Sequence, residues 1–272
     1  MITDAEFTRI VRHIKAGYGI DLTDKKVIVN GRLENFIWHN GYGSFTEFMD
    51  AVETDATGAL EVKLVDMLTT NHTFFMRESE HFDYMKDTVI PWIKEREADT
   101  HDMRVWCGAA SSGEEPYALA MLLMDAMGLE SRSWDTTVLA TDIDEDVLAK
   151  AMAGVYEEDR IKALPDSWRR RYFRQLGEGG DYEATRELKD HVIFRKFNLM
   201  RPFPFRKPMH VIFMRNVMIY FDEPTKAELI HKIYESLVPG GYLFVGRTET
   251  LTRTNKEFEM IQPSIFRRPL DS

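Results

Sequence analysis

The stretch Arg104-Val105-Trp106-Cys107-Gly108-Ala109-Ala110-Ser111-Ser112-Gly113-Glu114-Glu115-Pro116 decides the fold. Its first apolar run predicts a strand, and Pro116 stands in the first turn of a helix expected over 116–127. Between them lies a loop of small residues that lets backbone approach a ligand closely. In open α/β sheets, ligands bind beyond the carboxyl ends of the strands, where such a loop meets a helix N-terminus. The same rhythm continues downstream. Strands are expected at 137–141, 210–214 and 242–246, and helices over 144–153 and 223–238, the last stopped by Pro239-Gly240-Gly241. Alternation of this kind predicts an α/β fold with a parallel sheet covered on both faces. Residues 157–196 break it with a basic helix, the turn Gly177-Glu178-Gly179-Gly180, and strand-like runs at 182–188 and 192–196. This reads as a small antiparallel insert.

Upstream, the first 80 residues read as helical. Thr3-Asp4-Ala5-Glu6 has capping-box spacing ahead of Phe7, Ile10, Val11 and Ile14, which share one helical face. Residues 80–97 read as a further helix, interrupted near Pro91. The expected organisation is a helical domain over 1–80, a linker helix over 81–102, and a ligand-binding domain over 103–272 carrying the insert at about 157–196.

The chain has 272 residues, 44% of them apolar, enough for a substantial core. The apolar run at 118–124 is far short of the roughly 20 residues needed to cross a bilayer. Asp4 and Glu6 stand where a secretory leader would be basic, so a cytoplasmic protein is expected. Cys107 is alone, which excludes an internal disulfide and a Cys-rich zinc site. His72 and His81 lack metal-ligand spacing, and no metal is expected. The net charge of −10 disfavours nucleic acid and anionic lipid as partners. Residues 160–207 nevertheless carry thirteen bases against six acids, which reads either as a solvated face or as a docking surface for an acidic protein segment.

Glu114 and Glu115 select among ligands for the first loop. A phosphate-binding loop needs Lys-Ser/Thr after its second glycine, and a dinucleotide fold presents bare amides to a pyrophosphate. Carboxylates at the helix start compensate the macrodipole, and they repel phosphate at short range. They suit a cofactor that has no phosphate and carries an amine or a sulfonium; S-adenosylmethionine has both. Asp142, in Ala140-Thr141-Asp142-Ile143-Asp144, stands where a carboxylate accepts ribose hydroxyls, while Asp144 reads as the next helix's N-cap. Any nucleoside cofactor would satisfy Asp142.

Four blocks, in order, resemble the CheR-type chemotaxis receptor methyltransferases. They are Asn71-His72-Thr73-Phe74-Phe75-Met76-Arg77-Glu78, then Ala110-Ser111-Ser112-Gly113-Glu114-Glu115-Pro116-Tyr117, then Ala140-Thr141-Asp142-Ile143-Asp144, then Arg215-Asn216-Val217-Met218-Ile219-Tyr220-Phe221. The resemblance covers residues 60 to 250. It implies a Rossmann-like S-adenosylmethionine-dependent methyltransferase fold with a small N-terminal all-helical domain and a small antiparallel β insert. The implied reaction methylates glutamate side chains on a chemoreceptor's cytoplasmic helices, leaving S-adenosylhomocysteine. Cofactor contacts are implied for Asn71, Thr73, Arg77, Gly108, Glu114 or Glu115 at the amino end, Asp142 at the ribose, Asn198 and Leu199 near the adenine, and Arg215 and Asn216. Arg77 and Tyr220 are implied at the chemistry. Some relatives tether a peptide from the receptor's C-terminus at the insert, and many carry an arginine-dense second helix. Here residues 25–40 offer only Lys25, Lys26 and Arg32, opposed by Glu34, and Met76 replaces an aromatic of the family pattern.

A substrate glutamate is ionised at neutral pH, its unperturbed pKa being about 4.3. Methyl transfer to it needs alignment and a less aqueous site rather than a general base. Phe74 and Phe75 are candidate walls of that site, or plain packing between domains. Arg77 is read as a bidentate clamp for a carboxylate, the alternative being an exposed pair with Glu80. A module that binds S-adenosylmethionine or S-adenosylhomocysteine without turnover is the competing class.

Overall fold

A computed structural model describes residues 1–251 and 257–270 of the chain. The N-terminal segment folds into α1 (Asp4–Tyr18), α2 (Lys26–His39), α3 (Phe45–Thr54) and α4 (Ala59–Leu68). The capping box forms: the Glu6 amide donates to Thr3 Oγ1, and the Thr3 amide donates to the Glu6 carboxylate. α2 does not offer solvent the basic face that the resemblance leads one to look for. Arg32 donates to the Leu68 and Thr69 carbonyls at 2.9 and 2.8 Å, capping the end of α4, and Lys26 pairs with Asp4. Val27, Ile28 and Trp38 are exposed instead.

Next come α5 (Glu80–Tyr84) and α6 (Ile90–Arg96), joined by a π-turn over Met85–Val89. Pro91 does not break this helix as expected. Pro91 has no N–H to donate back along the helix, and the wider turn just before it absorbs the mismatch. The sheet-forming part then runs β1 (Val105–Cys107), α7 (Glu114–Met127), β2 (Val138–Asp142), α8 (Glu145–Ala153), β3 (Val155–Tyr156), α9 (Glu158–Ile161), α10 (Asp166–Tyr172), β4 (Phe173–Gln175), β5 (Tyr182–Ala184), α11 (Arg186–Asp190), β6 (Val192–Lys196), β7 (Met209–Met214), α12 (Glu223–Ser236), β8 (Leu237–Val245), β9 (Glu259–Gln262) and β10 (Ile265–Arg267).

Among the described residues the main sheet has strand order β6-β2-β1-β7-β8-β10-β9, with β6 through β8 parallel and the last two strands antiparallel. β1 lies between β2 and β7, so the order reverses there and opens a crevice at the strand carboxyl ends. Alternate side chains of the strands enter two separate cores. Val105, Cys107, Val211 and Phe213 pack with α5, α6 and α7. Trp106, Ile212, Met214 and Leu243 pack with α12 and with Ile10, Ile14, Val29 and Leu33 of the N-terminal helices. The helical domain and the sheet thus share one apolar core.

Two expectations change. The run at 192–196 is a strand, but it extends the main sheet beside β2, in parallel, from Val138↔Val192 to Asp142↔Lys196. Only β3, β5 and β4 form the antiparallel insert, and the chain between β5 and β6 is the helix α11 rather than strand. α11 lets β6 return in the same direction as β2. Pro239-Gly240-Gly241 lies inside β8 rather than between helix and strand. Leu237 pairs with Met209 and Tyr242 with Val211, so the extra residues form a bulge, with Gly240 at φ +81°.

Most of the basic excess at 160–207 is neutralised locally, by pairs such as Arg169–Asp166, Arg171–Asp125, Lys189–Glu183 and Lys196–Glu145. Gly113 starts α7 at φ +97°, and a β-carbon there would lie 2.9 Å from both Ala151 Cβ and Tyr156 Oη. Gly113→Ala is expected to cost about 2 kcal/mol in urea unfolding, from combined backbone and steric strain. A loss below about 0.5 kcal/mol would show that the loop relaxes freely.

Candidate functional site

The crevice is a cleft of about 990 Å³, its open mouth included. Gly108, Asp142 and Arg215 enter it from the ends of β1, β2 and β7, while Tyr18, Ile20 and residues 68–73 come from the helical domain. It gathers Asn71, Thr73, Arg77, Gly108, Glu115, Asp142, Asn198, Leu199, Arg215, Asn216 and Tyr220. Of the cofactor and catalytic residues that the resemblance implies, Glu114 alone is absent from its lining; the candidate walls Phe74 and Phe75 are absent too. Glu114 is fully buried, paired with Arg160 at 2.7 Å and accepting from Ser112 Oγ. Burial raises its pKa.

The geometry around Asp142 explains why the first loop holds its shape. The carboxylate accepts from the Ser111 amide at 2.7 Å and the Asp144 amide at 3.1 Å, one on each oxygen. With about four lone-pair sites in all, the carboxylate keeps acceptor capacity for a ligand. Burial raises the pKa of Asp142, against the pull of these amides. Ser111 Oγ also donates to the Asn71 carbonyl at 2.9 Å, and Asn71 Nδ2 donates to Asp144 Oδ2 at 2.5 Å. Asp144 caps α8 through the Val147 amide, as the sequence suggests.

Glu115 is not a free anion. Its Oε2 accepts from Arg215 Nη1, and its Oε1 accepts from Cys107 Sγ at 3.3 Å. Arg215 also pairs with Glu78 at 3.2 Å and donates to the Arg77 carbonyl at 2.5 Å. Cys107 is fully buried and burial pushes its thiol pKa up, so it is a core residue rather than a nucleophile. Arg77 donates to the His72 carbonyl at 3.0 Å and lies 5.8 Å from the Phe74 ring centre. Glu80 does not pair with Arg77; it takes Arg247.

Other side chains are committed to holding the walls. Asn198 donates to the Gly17 carbonyl at 2.8 Å and accepts the Met200 amide at 2.9 Å, tying the chain after β6 to the helical domain. Tyr220 donates to the Thr70 carbonyl at 3.2 Å. Phe75 is fully buried against Tyr156 and Phe173 of the insert, with ring centres at 5.0 and 5.8 Å, so it is packing and not a cleft wall. Phe74 is exposed. The apolar walls are Ile20, Leu68, Ile143, Phe197, Leu199, Val217 and Phe221. His81 is buried, bonded to Ser264 at 2.7 Å, and pushed down to about 4 by burial, which keeps it neutral.

Several contributors were missed in the sequence. Arg160, on α9 of the insert, bridges Glu114 and the Thr73 carbonyl. Tyr18 and Ile20 line the cleft from a distant part of the chain. Glu249 braces the loop after β7. No local spacing marks these residues, because each acts across the fold. Met76, Glu78, Ser111 and Asn216 all have φ between +48° and +59°, so the non-glycine backbone strain at the cleft falls on its loops.

A parallel sheet with this switch point, a buried carboxylate after its second strand, and an acid-bearing loop without a phosphate-binding run define a Rossmann-like protein that binds a nucleoside cofactor. The chain belongs to the CheR methyltransferase family. The CheR methyltransferase SAM binding domain matches residues 71–266, and the CheR methyltransferase all-alpha domain matches residues 5–69. It is an S-adenosylmethionine-dependent methyltransferase. The chemotaxis protein methyltransferase of Borreliella burgdorferi is 37% identical over 271 residues, 98% of this chain and 95% of that protein. Those of Salmonella typhimurium and Escherichia coli are 35% and 34% identical, each covering 97% of this chain, with 90% and 91% of their own lengths matched.

Behind Asn71, the helical domain meets α8 through carboxylates. Burial, with Asp144 and Asp146 nearby, pushes Asp66 up to about 7, and Lys63 opposes this only in part. The folded pKa therefore lies above the unfolded one, near about 3.9. Folding retains a proton that the unfolded chain gives up, so Asp66 is neutral in effect below pH about 4 and increasingly destabilising up to about 7. Discounted for solvent screening, Asp66→Asn is expected to stabilise the protein by about 1 kcal/mol near pH 8, the gain shrinking toward zero near pH 4. Thermal unfolding across that range is the check. A gain that does not vary with pH would remove Asp66 as its source.

Proposed function

We propose that this chain transfers a methyl group from S-adenosylmethionine to glutamate carboxylates on the cytoplasmic helices of a chemoreceptor, forming methyl esters. The convergence of Asp142, Glu115, Arg77 and Tyr220 on one cleft carries the reading. The donor set fits the cofactor. Asp142 has spare acceptor sites for ribose hydroxyls, and Ile143, Phe197 and Leu199 give an apolar setting for adenine. Glu115 and the polar residues Asn71 and Thr73 suit an amino-acid tail, with Arg77, Arg215 and Asn216 beside them. No helix among the described residues is long and apolar enough to cross a membrane; the reading places the enzyme in the cytoplasm, with the receptor as its partner.

When bound, S-adenosylmethionine supplies an electrophilic methyl group on a sulfonium. The chain's own work is to hold and desolvate. The substrate carboxylate arrives ionised, so no residue needs to take a proton. Arg77 is suited to steer that carboxylate by charge-assisted hydrogen bonds, and the Tyr220 hydroxyl to orient it. The apolar walls reduce water where the two opposite charges meet and cancel, which favours the transition state over the separated ions. A peptide from the receptor's C-terminus belongs to the same proposal: β4 is an outer strand of the insert's sheet, the kind of edge to which a peptide strand adds, and its Arg174 donates to the Arg170 carbonyl.

The test is transfer of labelled methyl onto receptor cytoplasmic fragments, with and without the terminal peptide. Alkali-labile label on glutamate is expected; cofactor binding with no ester on any fragment would favour a sensor instead. Asp142→Asn is expected to weaken S-adenosylhomocysteine binding at least about tenfold by calorimetry, the loss of hydrogen bonds to a charged group. Arg77→Ala is expected to lower turnover on receptor fragments at least about tenfold. Unchanged affinity in the first variant, or unchanged turnover in the second, would reject the assigned role.

A further inference from the structure

Glu249 lies just beyond β8, outside the cleft, and is only 5% exposed. Its carboxylate grips backbone. Oε2 accepts from the Gly246 amide at 2.6 Å and the Asn216 amide at 2.7 Å, and Oε1 accepts from the Ile219 amide at 3.3 Å. The Glu249 amide in turn donates to the Gly246 carbonyl at 2.8 Å. Gly246 makes this approach possible, since a β-carbon there would lie 2.9 Å from Glu249 Oε2 and closer still to the Asn216 side chain.

The gripped loop joins β7 to α12 and carries five residues of the cleft lining, Asn216 and Tyr220 among them. Asn216 sits at φ +58°, a left-handed conformation that asparagine adopts more readily than most residues. Burial raises the pKa of Glu249, while the Gly246 amide and the amides of the β7–α12 loop lower it. A carboxylate buried this far from water stays in place only because hydrogen-bond donors surround it. Its burial couples the end of β8 to the loop that forms one side of the cleft.

We propose that Glu249 is a positioning residue for methyl transfer, acting through two arms. The Oε2 arm fixes Asn216 on the cofactor side. The Oε1 arm fixes Ile219 and so the neighbouring Tyr220 on the acceptor side. This rests on the reading of Tyr220 given above. Glutamine keeps one carbonyl oxygen, which serves the Oε2 arm, and sets an NH2 group against the Ile219 amide; alanine removes both arms.

The experiment measures S-adenosylhomocysteine affinity by calorimetry and methylation kinetics on receptor fragments, well below each variant's unfolding midpoint. Glu249→Gln is expected to keep affinity within about threefold while kcat falls at least about tenfold, with a smaller change in the receptor KM. Glu249→Ala is expected to lose turnover and to weaken affinity at least about tenfold. Turnover of the Gln variant within about twofold of the native protein would overturn the proposal. So would losses in both variants that merely follow their folded fractions. If the native protein forms no ester, the functional reading fails, and the affinity of the Ala variant still decides the Oε2 arm.

Discussion

Arg215 is the pivot of the structure. Its side chain is 1% exposed, and it lies between the carboxylates of Glu115 and Glu78 while donating to the Arg77 carbonyl. A guanidinium removed from water is costly unless it is paired and hydrogen-bonded. That demand brings three segments together: the start of α7, the turn ahead of α5, and the end of β7. Met76 and Glu78 sit at positive φ on that turn, so the backbone bends to meet the arginine. Such a network stabilises little relative to an apolar replacement, but it specifies one arrangement of the loops.

The same pairing redefines the electrostatics of the cleft. Two adjacent glutamates at a helix start suggest an open anionic berth, but each already has an arginine. Glu114 is closed off by Arg160 and Glu115 is shared with Arg215. The charge offered to a ligand is therefore graded, with Glu115 partly compensated and Asp142 bound only by backbone amides. A cofactor with a zwitterionic tail suits such a mixed surface better than a simple cation does.

The helical domain is as much a part of the site as the sheet is. Its core is continuous with one face of the sheet. Arg32 fixes the end of α4, where the chain enters the cleft at Thr69, Thr70 and Asn71. Asn198 reaches Gly17 from the opposite side. The insert contributes from a third direction: Tyr156 donates to the Ser112 carbonyl at 2.7 Å and Arg160 to the Thr73 carbonyl at 2.9 Å. Each loop of the cleft is thereby braced from a part of the chain remote in sequence.

Local patterning made the strand–loop–helix rhythm and the caps at Thr3 and Asp144 legible, because each depends on neighbours a few residues apart, whereas most of the candidate cleft residues came from the family resemblance. Partnership across the fold was not legible. Val192–Lys196 reads as a strand from its composition, but its place beside β2 follows from α11 returning the chain in parallel. Glu114 and Glu115 look alike in the chain, yet one helical step turns the first into the core and the second toward the cleft. Glu249 carries no motif at all, and its meaning comes from three amides drawn from two loops. The sequence by itself determined which elements form and which residues have the chemistry for a methyl donor. Tertiary structure decided which of those groups remain open to a ligand, because buried charges must find partners and the fold alone sets which partners lie within reach.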